Sequence, residues 1–504
     1  MKYTHLPLSR LFLWGVVLSL VGLHTSKAQV DSPRPSRPSA GQTTIPVEYR
    51  AIQLRLQSAL NAIPHASTRA GVCVMELNSK TTVFESHSSS ALIPASIMKL
   101  FVMIAAITHL GPDFSFETVL GVQGEDLVVI GDGDPGFGDE KLHAARGEKI
   151  ASTWDRWAAT LKDRNRAKIA GNLIIDESIF DSQWLHPSWE KEDLDNWYAA
   201  PVGGLNFNDN CVDITLNPQS NGSVTVTFQP ENSLVRIVGL CRVGKGPPVL
   251  HHPFDSFEYR ISGTCRKRWP FGSVSFPDPG LLFADSMKMA FLRHGVRIAG
   301  KIERRKLRLA GGGLPASIEI LDRHKTSISQ VLSRIGKDSQ NLFAECLLKR
   351  VGYAWSQKTQ SLSAQGSWRT GQDAIKNLVR TVGIDTEGLQ VSDGSGLSRQ
   401  NRCSARQLVD LLAWMHQQPN AWMLYDGLAV SGEDGSLRKR LSDVPRRVFA
   451  KTGTMTGVTA LAGYVLGHDG SQYAFCIMFN GYPGSSAPYR KIQDTLCRVL
   501  VGDE

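Results

Sequence analysis

Three short strings constrain this chain more than anything else in it: Ser96-Ile-Met-Lys99, Ser339-Gln-Asn341 and Lys451-Thr-Gly453. They read S-x-x-K, S-x-N and K-T-G, a set that supplies a nucleophile, its proton acceptors and an anchor for a carboxylate. Such groups act only in one cleft, so the fold has to bring them together. From Ser96 to Ser339 is 339 − 96 = 243 residues, which leaves room for a large excursion between the first string and the second.

Patterning around the strings indicates how they meet. Residues 48–62 carry apolar positions at helical spacing. Residues 70–77 read as a strand, Asn78-Ser79 as a turn, and residues 81–85 as a second strand. Ser96 opens an apolar helix to about Leu110, which Gly111-Pro112 stops. At the other end Val448 to Lys451 is a short strand. Residues 460–466 and 473–479 make a hairpin across His468-Asp-Gly470, and a last helix covers residues 488–500. The two ends of the chain are therefore expected to form one α+β body, an antiparallel sheet with helices on its faces. The middle is different: short β-rich stretches with one helix near residues 149–164. The expected division is a body of residues 45–120 and 280–504, split by a β-rich insertion of residues 121–279.

The strings carry chemistry by residue type and spacing. Residues three apart on a helix share a face, so the Lys99 amine can reach the Ser96 hydroxyl. A serine is a poor nucleophile until a base takes its proton, and a lysine is a base only when neutral. The apolar neighbours Ile97, Met98, Leu100, Phe101 and Val102 favour the neutral amine by desolvation. The pair alone is weak evidence, because Ser436-Leu-Arg-Lys439 also matches S-x-x-K; that copy lies in a run that reads as solvated. The other two strings occur once each. Ser339 would shuttle a proton and Asn341 would hold substrate and Lys99, although Ser339 also reads as an N-cap of the helix that follows. Thr452 would bind a carboxylate, Lys451 would raise the local positive potential, and Gly453 would permit close approach on an edge strand. The combination decides, since all three strings fall in order and on the expected elements.

A chain of 504 residues exceeds one ordinary core and implies two or three domains. Residues 1–28 read as an export signal: Lys2 and Arg10 are followed by an apolar run to Leu23 and a small-residue site at Ser26-Lys27-Ala28. Residues 29–44 read as a Pro/Ser-rich linker. The expected location is therefore periplasmic or secreted. No other stretch approaches 18 uninterrupted apolar residues, so no stable membrane insertion of the mature chain is expected. The net charge of +9 falls to +6 without Lys2, Arg10 and Lys27, and no basic stretch interleaved with aromatics points to nucleic acid. None of the eight cysteines forms C-x-x-C, which argues against zinc ribbons and thioredoxin-like redox chemistry. Cys241 and Cys265 are the expected disulfide pair, and Cys73, Cys346, Cys476 and Cys497 read as buried thiols.

Further strings carry a resemblance: Gly131-Asp-Gly-Asp-Pro135, Gly171-Asn-Leu-Ile-Ile-Asp176 with Phe180, Tyr198-Ala-Ala-Pro201 through Asn210, Asp393-Gly-Ser-Gly-Leu-Ser-Arg399, and Lys451-Thr-Gly-Thr-Met-Thr-Gly457. With them, residues 48–500 resemble the D-Ala-D-Ala carboxypeptidase/endopeptidase family, the low-molecular-mass class C penicillin-binding proteins. That resemblance implies a penicillin-binding-protein/β-lactamase-like transpeptidase body and a serine peptidase of peptidoglycan stem peptides ending in D-Ala-D-Ala, inhibited by β-lactam antibiotics. It implies that Ser96 forms an acyl-enzyme, Lys99 is the base and Ser339 relays the proton. The backbone N–H groups of Ser96 and Thr454 would form the oxyanion hole. Thr452 and Thr454 would hold the substrate carboxylate, and Asp176, Phe180 and Arg399 would recognise a diamino-acid side chain. Gln340 departs from the commoner Asp of the second string and is expected to point away, with little effect. No metal or cofactor is required. Two other readings compete: a β-lactamase or esterase, which would need a dedicated deacylating base in place of Ser339, and a non-catalytic wall-binding or β-lactam-sensing module.

Overall fold

The computed structural model describes residues 49–359 and 364–503; the expected export signal and linker lie outside the described residues. The described residues form one compact unit. Its frame is a six-stranded sheet ordered Ala429–Val430, Val448–Met455, Val458–Leu466, Gln472–Asn480, Arg69–Glu76 and Thr82–Ser86. Every pair in it is antiparallel. The two chain ends thus share one sheet, joined where Cys73 lies opposite Cys476.

Alternation along these strands sorts side chains to two cores, because successive residues of a strand point to opposite faces. Val72, Val74, Leu461, Phe475 and Ile477 face helices Arg50–Leu60 and Ala487–Val501. Cys73, Ala460, Ala462, Cys476 and Met478 face the helix Lys99–Leu110 and its neighbours. That helix is buried from Lys99 through Ile107, which explains why its sequence is apolar all round.

A second, five-stranded sheet is ordered Ile302–Arg304, Leu173–Asp176, Asp126–Ile130, Ser115–Gln123 and Glu319–Ser327. Helices Ser152–Asp163 and Pro279–Arg293 cover it, with Trp154, Trp157 and Phe283 in its core. The sheet takes strands from beyond both ends of the 121–279 range expected from the sequence, because Glu319–Ser327 pairs with Ser115–Gln123 and Ile302–Arg304 pairs with Leu173–Asp176. Residues 211–275 form two further small sheets on a separate core that includes Tyr259 and Phe276.

All eight cysteines are free and buried. Cys241 and Cys265 sit side by side, as the sequence suggests, but their sulfurs stand 3.8 Å apart and the expected bridge is not formed. Among the described residues no helix is long and apolar enough to cross a membrane.

Candidate active site

The first string sits on a tight turn. Ala95 has φ +49°, a left-handed conformation costly for a residue with a Cβ, and residues Ala95–Met98 form a 3₁₀ turn before the α-helix begins at Lys99. Ser96 is left half-buried at the cleft floor, while Lys99 is fully buried one turn on. Lys99 Nζ lies 3.1 Å from Ser96 Oγ, 2.7 Å from Asn341 Oδ1 and 2.6 Å from the Ser395 carbonyl oxygen. The two shorter contacts are to oxygens that can only accept. A neutral amine has two N–H bonds and one lone pair, so these acceptors take both hydrogens and leave the lone pair facing the Ser96 hydroxyl. Asn341 cannot flip its amide freely, because its Nδ2 donates to the Tyr198 carbonyl at 2.7 Å. Tyr198 belongs to the excursion, so the excursion orients the amide that holds the Lys99 amine. Burial pulls the Lys99 amine down to about 7, against the opposing charges of Glu345 and Asp393.

The second and third strings meet each other. Helix Asn341–Thr359 starts at Asn341, and Ser339 stands outside it with φ +61°. Ser339 Oγ accepts from Lys451 Nζ at 2.9 Å, and Lys451 also donates to the Thr452 carbonyl at 2.8 Å. Burial, with Lys99 nearby, holds the Lys451 amine well below the ordinary lysine range.

The two-residue strand Ala429–Val430 pairs only with Ala450 and Phe449, so the strand Val448–Met455 has an open edge from Lys451 onward. A Cβ at Gly453 would lie 2.8 Å from the Pro94 carbonyl oxygen and 3.0 Å from Ser96 N, too close for any residue but glycine. The strand therefore packs directly on the nucleophile turn. Thr452 Oγ1 is 3.0 Å from Ser436 Oγ, and Thr454 is exposed farther along the open edge. Ser436 is exposed, as its run suggests, yet it stands at the rim of this cleft. Arg399 is exposed beside the same strand and donates to the Thr456 carbonyl at 3.2 Å.

Asp176 and Phe180 are both buried and line a common hollow with Trp184 and Arg304. Asp176 is fully buried, and its oxygens accept from the backbone N–H groups of Ser178, Leu307 and Arg308. It ties a strand end to the segment after Arg304. Phe180 is buried, its ring against Gly133 and Gly366, where any Cβ would collide with it. Both residues hold the fold together, which gives each a structural role beside the expected substrate contact. Asp176→Ala strands three buried donors. It is expected to lower stability by about 2–4 kcal/mol in urea unfolding, with acylation per folded molecule within about two-fold of wild type. A selective KM rise on diamino-acid peptides, without loss of stability, would show the binding role.

Gln340 also departs from expectation. It turns away from Lys99, but it is buried and its Nε2 donates to Asp209 Oδ2 at 2.7 Å, tying the Ser339 turn to the excursion. The residues missed from sequence are those acting through the backbone or from the second layer: Tyr198 and Ser395 through their carbonyls, and Glu345. Only Glu345 left a signal, since it lies four residues after Asn341 and so on the same helix face.

An α+β body with a Ser–Lys pair at a helix start, a Ser-x-Asn turn and a Lys-Thr-Gly strand beside them has the penicillin-binding-protein architecture. The family model described as D-Ala-D-Ala carboxypeptidase 3 (S13) matches residues 52–500. The D-alanyl-D-alanine carboxypeptidase of Actinomadura sp. strain R39 is 30% identical over 464 residues, covering 86% of this chain and 81% of that protein. The D-alanyl-D-alanine carboxypeptidase DacB of Haemophilus influenzae is 24% identical over 444 residues, covering 83% and 87%. The crystal structure of penicillin binding protein 4 (dacB) from Haemophilus influenzae superposes with a TM-score of 0.72 at 23% identity, over 88% of this chain and 99% of that one. The chain belongs to the D-Ala-D-Ala carboxypeptidase 3 (S13) family of serine peptidases.

Proposed function

We propose that the protein is a serine D-alanyl-D-alanine carboxypeptidase and D,D-endopeptidase that cuts peptidoglycan stem peptides through a Ser96 acyl-enzyme and is acylated by β-lactams. One observation carries this reading: the Lys99 amine is held by two fixed carbonyl acceptors so that its third direction faces Ser96 Oγ. Lys99 takes the Ser96 proton as Oγ attacks the carbonyl carbon between two D-Ala residues. The oxyanion collects N–H bonds from Ser96 and Thr454, each worth a few kcal/mol at the transition state. Ser339, held by Lys451, passes a proton to the leaving amine. Thr452 and Thr454 take the terminal carboxylate on the open strand edge, and Arg399 stands at the rim where a stem-peptide side chain would extend. Water then releases the acyl group by the same Lys99 route.

Periplasmic or extracellular location and a peptidoglycan partner follow from this reading and from the expected export signal. The test is digestion of purified crosslinked muropeptides and of stem peptides ending in D-Ala-D-Ala. Release of D-Ala marks the carboxypeptidase and loss of crosslinks the endopeptidase; neither product, with rapid turnover of a chromogenic β-lactam instead, contradicts the proposal.

A pH dependence follows from the buried amine, because only neutral Lys99 accepts a proton. With its pKa near 7, acylation is expected to rise with pH through about 7 and to be roughly ten-fold lower at pH 6 than at its plateau. Timed labelling with fluorescent penicillin across pH 5–9 reads this directly. A rate that does not change over that range contradicts the assignment of Lys99.

A further inference from the structure

Glu345 is fully buried on the helix Asn341–Thr359, one turn after Asn341. Its carboxylate accepts three N–H bonds: from Trp368 Nε1 at 2.7 Å, Gly394 N at 2.9 Å and Ser395 N at 2.7 Å. A site of three donors suits an ionised carboxylate, which only accepts. Gly394 and Ser395 belong to the loop Ser392–Asn401, whose other side is held by Asp393. That carboxylate accepts from Trp189 Nε1 at 2.9 Å, Gly396 N at 2.9 Å, Ser398 N at 2.6 Å and Asn401 Nδ2 at 2.7 Å. Two buried carboxylates thus clamp one tight turn, and the carbonyl that projects from it, on Ser395, accepts from Lys99 Nζ.

We propose that Glu345 is a positioning residue for the base: by holding the Gly394 and Ser395 amides it aims the Ser395 carbonyl at Lys99, which occupies one amine hydrogen and turns the lone pair toward Ser96. The proposal rests on the reading of Ser96 and Lys99 given above. Asn341 and Glu345, one helical turn apart, then set the two acceptors of the amine, the first directly and the second through a backbone turn.

Glu345 also acts by charge. The charged groups around it are Asp393 from the loop, Lys99 from the nucleophile helix, and Lys349 from the next turn of its own helix. Lys349 is engaged with Asp181 at 2.8 Å. Lys451 faces Lys99 from the strand, and His186 faces Asp393. Burial and Asp393 push the Glu345 carboxyl up, to about 7, while its three donors act in the opposite direction. Above that pH its charge favours protonated Lys99 and counters the desolvation that pulls the amine down. Removing it leaves Asp393 as the remaining buried anion beside Lys99, with Lys451 acting in the opposite sense, so the Lys99 pKa falls.

The experiment compares Glu345→Gln and Glu345→Asp with wild type and Ser96→Ala, in the full chain, by the pH profile of fluorescent-penicillin acylation and by thermal melting. Glu345→Gln, which keeps the shape and loses the charge, is expected to move the acid limb down by about one pH unit and to lower the plateau by about ten-fold. Glu345→Asp keeps the charge but withdraws the oxygens from the Gly394–Ser395 turn. Its acid limb is expected to stay within about 0.3 unit of wild type while its plateau falls by about ten-fold. A purely structural residue would change the melting temperature and the amount of active protein and leave the profile of the folded fraction unmoved. That result in either folded variant overturns the proposal. If wild type carries no label and behaves as Ser96→Ala does, the Ser96 reading itself has failed; labelled wild type with unmoved variant profiles overturns only the role of Glu345.

Discussion

Lys99→Met is expected to slow acylation of Ser96 by a β-lactam by about 10³–10⁴-fold while the protein stays folded. The side chain is fully buried, so an unbranched apolar replacement of similar length fills the space. The cost is confined to its polar end, where Asn341 Oδ1 and the Ser395 carbonyl each lose a donor. Against that, the variant no longer has to desolvate an amine. A change in stability of about 1–3 kcal/mol in either direction is the most these opposing effects support. The activity loss is far larger, because among the described residues Lys99 is the group that meets the Ser96 hydroxyl. Lys451, the other buried amine of the cleft, is committed to Ser339 and to the Thr452 carbonyl. Labelling at pH 8, where wild-type Lys99 is neutral, isolates the base from its titration. A variant within ten-fold of wild type would mean that Ser96 is activated by something else.

Gly396→Ala is expected to cut acylation by at least about 100-fold from a position that touches no substrate. Gly396 has φ +82°, and a Cβ there would overlap the Ala95 carbonyl oxygen and approach Ser96 N to 3.0 Å. The clash falls on the backbone of the nucleophile turn, which has no flexible side chain to move aside. Ala95 already occupies a left-handed conformation, so the turn has little room to adapt. The methyl group therefore either displaces Ser96 by several tenths of an ångström or opens the Ser392–Asn401 loop. In the second case the Ser395 carbonyl leaves Lys99. Both outcomes break the Ser96–Lys99 geometry, and strain with overpacking adds about 2–4 kcal/mol of destabilisation. Acylation kinetics on the folded fraction, with urea unfolding alongside, separate the two losses. Wild-type kinetics in Gly396→Ala would show that the turn is looser than this packing implies.

What the sequence made legible was the set of side chains that we propose act directly. Ser96, Lys99, Ser339, Asn341 and Lys451 converge in one cleft, and the α+β body comes from the two chain ends because the hairpin and the first strands alternate toward two cores. The remainder depended on atoms and distances that residue types do not encode. The Tyr198 and Ser395 carbonyls orient the base, yet any residue carries a carbonyl. Ala95 and Ser339 adopt left-handed backbones that their identities disfavour, so local preference gave no hint of either turn. The excursion proved wider than its β-rich composition suggested, since its sheet is completed by Ser115–Gln123 and Glu319–Ser327, strands that find each other only in the folded chain. Asp176 lies in a string that carries the resemblance, and the three backbone donors on its carboxylate are contacts that the string does not encode. Gln340 reads from its sequence as a substitution of little effect, and its bond to Asp209 shows the position joined to the excursion.

The central claim is that Ser96 is the nucleophile that Lys99 activates, and intact-mass spectrometry after brief exposure to penicillin, with peptide mapping of the adduct, tests it most directly. The expected result is one penicilloyl group per chain, mapped to the peptide containing Ser96, absent from Ser96→Ala, with loss of D-Ala release in the same variant. An adduct on another residue, or D-Ala release that survives in folded Ser96→Ala, would contradict it.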